Sequence, residues 1–157
     1  NIDGLDFFYK NAFLPFIRPM GFKLTVAGKV CDYWPVEDPR VEKIGFYKGP
    51  IQSLYDSTKV VVIPILDGSG LSIKTLEAMA FGKPVITTRH VEIPRIVPEM
   101  LVEENDVHGL AEAIFTLYSS KNLRQSQGAV NRKIAEKYFS SRNACETAKI
   151  LADLAGK

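Results

Sequence analysis

The chain has 157 residues, 46% apolar and 24% charged, which is enough to bury the core of one soluble domain without metals or disulfides. A formal net charge of +2, with the basic residues scattered, gives no argument for a nucleic-acid partner. No stretch approaches the roughly 18 apolar residues of a membrane span, and no basic segment followed by an apolar run marks a signal peptide.

The elements alternate between helical and strand patterns, so the expected fold class is α/β, a parallel sheet flanked by helices. From Asp3 to Arg18 the apolar residues Leu5, Phe8, Ala12, Phe13 and Phe16 recur at helical spacing, with Asp3 as N-cap and Pro15 and Pro19 cutting the end short. Residues 22–27 read as a buried strand closed by Gly28, residues 29–40 as a loop with two prolines, and residues 41–44 as a short strand ended by Gly45. After Gly49-Pro50 a short helix runs to Asp56, Pro50 suiting its first turn. The run Val60-Val61-Val62-Ile63 is typical of a central parallel strand.

A glycine turn follows at Asp67–Gly70, then a helix to about Phe81 stopped by Gly82, and a strand over residues 84–88. Beyond it come a proline-interrupted turn of helix over 91–97, a short strand at 100–102, and a helix capped by Asp106 and running to Tyr118. Two more helices fill 123–138 and 141–155, giving a single domain across 1–157. Cys31 and Cys145 lie far apart without C-x-x-C spacing and read as free thiols. His90 and His108 assemble no metal site by spacing.

Chemistry concentrates between Val60 and Thr88. In an open parallel sheet, ligands bind beyond the carboxyl ends of the strands. There this sequence places Gly68, Ser69 and Gly70, which allow close backbone approach, at a helix start whose outward N–H groups and dipole favour a phosphate. Lys74, about one turn in, adds positive charge toward the same anion. Glu77, among apolar and small neighbours, has a carboxylate able to accept hydrogen bonds from the two hydroxyls of a ribose. The residues alone leave a second reading open, in which the glycines serve only the turn and Lys74 and Glu77 form a solvated i,i+3 pair.

The stretch from Gly68 through Leu76-Glu77-Ala78-Met79-Ala80-Phe81-Gly82-Lys83-Pro84-Val85-Ile86-Thr87-Thr88 resembles the donor-site segment of retaining GT-B glycosyltransferases of the group 1 family. Their pattern is a glycine turn followed by L-E-A-(small or Met)-A-x-G-K-P-V-(apolar)-x-T. Residues 1–5 resemble the opening of the domain's first helix, 23–28 its second strand, and Gly45-Phe46-Tyr47 the turn beside the nucleotide base. Residues 54–64 resemble the helix and strand before the donor loop, and 102–113 the closing strand, acidic turn and helix, so the resemblance spans nearly the whole chain.

The resemblance implies the C-terminal, Rossmann-like half of a GT-B fold. It implies a donor that is a nucleoside diphosphate sugar of UDP or GDP type, with no cofactor and no metal. Glu77 matches the residue that holds the donor's ribose hydroxyls. Gly68, Ser69, Gly70 and Leu71 match the loop whose amides meet the diphosphate and sugar, and Phe46 and Tyr47 lie near the base. No catalytic residue is assigned; His90, after the strand ending at Thr88, reads as a surface-loop histidine, with an approach to the cleft as the other reading.

Two departures stand out. Many relatives carry a second glutamate eight residues before the one matching Glu77, where this chain has Ser69 beside Asp67. Where relatives often have G-x-P-E, this chain has Glu92-Ile93-Pro94-Arg95.

The chain opens on Asn1 rather than Met, and the resemblance implies that the domain's first strand and an N-terminal acceptor domain precede it. Such enzymes work in the cytoplasm, some of them on the inner face of the membrane. The alternatives are a nucleotide-sugar epimerase domain and a non-catalytic partner domain that keeps the fold, which the Ser69 substitution favours. A dinucleotide-binding module is disfavoured, because the turn lacks a third glycine and follows a late strand.

Overall fold

The computed structural model describes residues 2–66, 72–88, 101–103 and 106–139. The chain begins with a long helical segment: α1 (Ile2–Phe8), a π-helical stretch (Tyr9–Ile17) and a 3-10 turn (Arg18–Met20). Asp3 lies inside the first turn of α1 and is not its N-cap. Pro15 does not end the helix either; the chain winds through it and stops at Gly21, whose φ of 81° is left-handed.

The π register accounts for both the packing and the proline. With hydrogen bonds to the fifth residue back, as from the Arg18 N–H to the Phe13 carbonyl, each turn holds more than the 3.6 residues of an α-helix. Residues four and five apart then fall closer to one line, so Phe8, Tyr9, Ala12, Phe13 and Ile17 all face the core. The wider turn also takes the Pro15 ring off the carbonyl four residues back, the clash that breaks an α-helix.

β1 (Leu24–Ala27) pairs in parallel with β2 (Val41–Gly45), Leu24 opposite Val41, with a register shift after Val26. Only Val26 of β1 is buried, so this strand is more open than its sequence suggests. Gly28 and Gly45 close the two strands with positive φ. Between them Lys29–Asp32 forms a 3-10 turn, and Trp34, in what reads as a loop, is 1% exposed. The Tyr9 ring meets it edge-on, the centroids 5.2 Å apart. Cys31 keeps a thiol, donating to the Val26 carbonyl at 3.2 Å, while Cys145 lies outside the described residues.

α2 (Ile51–Ser57) follows with Pro50 at its N-cap. A second parallel ladder then runs β3 (Val61–Ile63), β4 (Val85–Thr88), β5 (Leu101–Val102), with α3 (Ile73–Ala80) crossing between the first two. The apolar run at 60–63 reads as a central strand, but among the described residues the centre is β4. It is paired on both sides and buried at all four positions, whereas β3 pairs with β4 alone. Thr87 and Thr88 carry hydroxyls into that buried strand, and this masks its central position in the sequence.

Asp106 caps α4 (Val107–Ser119), its carboxylate accepting from the Gly109 N–H at 2.8 Å. α5 (Lys121–Phe139) follows at once. The helical turn expected over 91–97 and the helix expected over 141–155 lie outside the described residues. Among the described residues no helix is long and apolar enough to cross a membrane. The fold is thus α/β with parallel strands and flanking helices, as the alternating pattern implies.

Candidate functional site

α3 is the element that carries the predicted chemistry; a side chain caps its start, and a glycine ends it. At its start Ser72 accepts from the Thr75 N–H at 3.3 Å and from the Thr75 hydroxyl at 2.8 Å. This cap takes one of the first-turn amides, so fewer of them are open to an anion than the glycine turn alone suggests. At its end Gly82 has φ 66°, and the Lys83 N–H bonds the Ala78 carbonyl.

The strand sides of the crossover are fixed by hydroxyls. Thr87 donates to the Ile63 carbonyl at 3.1 Å. Thr88 donates to the Ile65 carbonyl and accepts from the Ile65 N–H. These contacts hold the chain as it leaves β3, immediately before the glycine-containing residues 67–70. From the other side Gly4 of α1 sits against the Pro64 carbonyl so closely that a Cβ there would lie 1.9 Å from the oxygen.

The Gly82-Lys83-Pro84 part of the motif is structural. Lys83 donates to the Thr58 carbonyl, the Pro84 carbonyl accepts from Val61 N–H, and buried Asn131 of α5 donates to the Lys83 carbonyl at 2.8 Å. Gly128 of α5 crosses Gly82 with no room for a side chain, since an added Cβ would lie 2.1 Å from the Gly82 oxygen.

Glu77 and Lys74 both lie on exposed positions of α3. Glu77 accepts a 2.7 Å hydrogen bond from the Tyr55 hydroxyl. Among the described residues no ion pair joins it to Lys74, so the solvated i,i+3 pair is not formed. Tyr55 comes from α2 and stacks on Phe81, the ring centroids 4.6 Å apart and the planes 16° from parallel. Burial, then the hydrogen bond to Glu77 and its charge, push the Tyr55 phenol well above its ordinary value of 10.0.

Phe46 and Tyr47 follow β2 at its carboxyl end. Phe46 is 72% exposed, while the Tyr47 ring is folded over Gly49. Asp67, Gly68, Ser69, Gly70, Leu71 and His90 lie outside the described residues. The structure therefore brings Glu77 into contact with α2, the helix that follows Phe46 and Tyr47 in the chain.

Sequence reasoning passed over Tyr55, Ser72 and Thr88. Ser72 carried a readable signal, a hydroxyl three residues before Thr75 at a helix start; a lone aromatic in a seven-residue helix carried none. Among the described residues no group of three His, Cys, Asp or Glu side chains is placed to hold a metal ion.

A model of the family described as Glycosyl transferases group 1 matches residues 1–120. The capsular polysaccharide biosynthesis glycosyltransferase CapM of Staphylococcus aureus is 34% identical over 109 residues, covering 67% of this chain and 28% of that protein. WcaL of Escherichia coli (strain K12), assigned as a colanic acid biosynthesis glycosyltransferase, is 33% identical over 84 residues, 47% of this chain and 21% of its own length. The matched part of the chain thus covers about a quarter of the length of these relatives. Among solved structures, the α,α-trehalose-phosphate synthase (UDP-forming) from Burkholderia xenovorans superposes with a TM-score of 0.55 at 17% identity, over 78% of this chain and 29% of that one. That likeness concerns the fold.

Proposed function

Because the chain belongs to the group 1 glycosyl transferase family, we propose that it is the donor-binding, C-terminal domain of a GT-B enzyme that moves a sugar from a nucleoside diphosphate sugar to a hydroxyl with retention. The observation that carries this reading is Glu77: an exposed carboxylate on the crossover helix beyond β3, held by Tyr55 and anchored to nothing else among the described residues. A carboxylate so placed is suited to accept both hydroxyls of a ribose.

In this reading the amides of residues 68–71 and those the Ser72 cap leaves uncovered at the start of α3 meet the diphosphate, Lys74 adds positive charge, and Phe46 and Tyr47 border the base. During transfer the bond from the sugar's anomeric carbon to the diphosphate oxygen breaks and a bond to the acceptor oxygen forms. The acceptor's proton passes to the departing diphosphate oxygen, and the leaving diphosphate is stabilised by amides and cations aimed at it, without an obligatory metal or other cofactor. The acceptor and the remaining catalytic groups belong to a partner domain, in line with relatives roughly two and a half times as long as this chain. Work in the cytoplasm, on the inner face of the membrane through that partner domain, completes the proposal.

Calorimetric titration with UDP, GDP and ADP tests it. One of them binds at millimolar or tighter affinity, and Glu77→Ala abolishes that binding. Wild-type affinity in Glu77→Ala would remove the ribose assignment.

A further inference from the structure

Glu77 alone is a poor instrument for holding a ribose. It projects from an exposed position of α3, where a glutamate side chain samples several rotamers that binding would have to freeze. Tyr55 removes that freedom from outside. Its ring is fixed by stacking on Phe81, one turn beyond Glu77 on the same helix, so a single side chain grips α3 at two successive turns. Its hydroxyl meets Oε1 of Glu77 at 2.7 Å. We infer that Tyr55 is a positioning residue for nucleotide recognition: by holding Oε1 it fixes the Glu77 carboxylate so that Oε2 and the remaining lone pairs face a vicinal diol, which selects ribonucleotides over nucleotides lacking those hydroxyls. The inference rests on the donor-site reading of Glu77.

The chemistry is consistent on both sides of the bond. A carboxylate offers about four acceptor sites; Tyr55 uses one, and a diol needs two. The raised pKa of the phenol keeps it a donor throughout the neutral and mildly alkaline range. Tyr55→Phe deletes the donor and keeps the ring that stacks on Phe81, so the variant retains its packing.

The test is calorimetry on the intact protein with the nucleoside diphosphate it binds and with the 2′,3′-dideoxy form of the same nucleotide, for wild type, Tyr55→Phe, Glu77→Ala and the double variant. Tyr55→Phe weakens the ribonucleotide about five- to tenfold and leaves the dideoxy form unchanged, and it adds nothing once Glu77 is alanine. Equal weakening of both nucleotides in Tyr55→Phe would reduce Tyr55 to a packing residue and overturn the inference. Unchanged ribonucleotide affinity in Tyr55→Phe, with Glu77→Ala still defective, overturns the inference and spares the donor site. Undiminished affinity in Glu77→Ala, or no nucleotide binding by wild type, overturns both.

Discussion

Among the described residues two hydrophobic clusters are built on opposite principles. One gathers Phe8, Tyr9, Phe13, Ile17 and Trp34 with Val26, Ile86 and the inner face of α4, large side chains stacked edge and face. The other, beneath α3, consists of Ile63, Ala78, Met79, Val85 and Ala135, with no aromatic among them, beside the Gly82–Gly128 crossing where two backbones touch. The first owes its cohesion to buried aromatic area, the second to the absence of side chains at Gly82 and Gly128 and to directed bonds from Asn131 and Lys83. The helix of the candidate site stands on the second. The scaffold is thus fastened with area around Trp34, and with fixed geometry beneath the helix that carries Glu77.

If that contrast holds, the first cluster is sensitive to removal of volume and the second to its addition. Trp34→Ala should cost about 3–5 kcal/mol in urea unfolding, since it empties a site that is 1% exposed. Nucleotide affinity should change little in the folded fraction; a matching loss of affinity would merge the two regions into one. Gly128→Ala should cost about 1–3 kcal/mol, because its Cβ has only the Gly82 backbone to displace. A neutral result in thermal melts would show the α3–α5 crossing to be pliable.

Ser72→Ala and Asp106→Ala remove comparable caps and should each cost about 1 kcal/mol. Only the first should also weaken nucleotide binding, and that difference sharpens the distinction between aiming and bracing.

The smallest effect concerns Asp38, which ties the first cluster to its neighbouring loop. It accepts from the Arg40 N–H, from Tyr9 and from Arg18, and these bonds, the backbone one foremost, hold its carboxyl below the ordinary 3.8. A folded-state pKa below the unfolded one means the contribution is present above the unfolded value and is lost as pH falls through the folded one. Asp38→Asn should therefore flatten the acid limb of the stability profile below about pH 4 and leave nucleotide binding unchanged.

Much of this was legible in the sequence where a local signal decides the outcome. Gly28, Gly45 and Gly82 end their elements with positive φ, and Asp106 caps α4, because these effects act within a few residues. Pro15 misled because the stretch runs in a π register, whose wider turn relieves the conflict that proline brings to an α-helix. Trp34 was hidden in a polar, proline-containing stretch; its burial depends on Tyr9, distant in the chain. At the candidate site Glu77 was visible through its motif, while its partner Tyr55 is 22 residues away and no pattern couples the two.

The bonds at the two ends of the crossover have a consequence for how the site can diversify. Ile65 is held by Thr88, and Ser72 holds the start of α3, each through atoms outside the short stretch between them. That stretch is in effect a cassette between two fixed terminals. Under the proposed function, exchanging its sequence with that of a relative should change specificity for the transferred group and leave the sheet and helix in place.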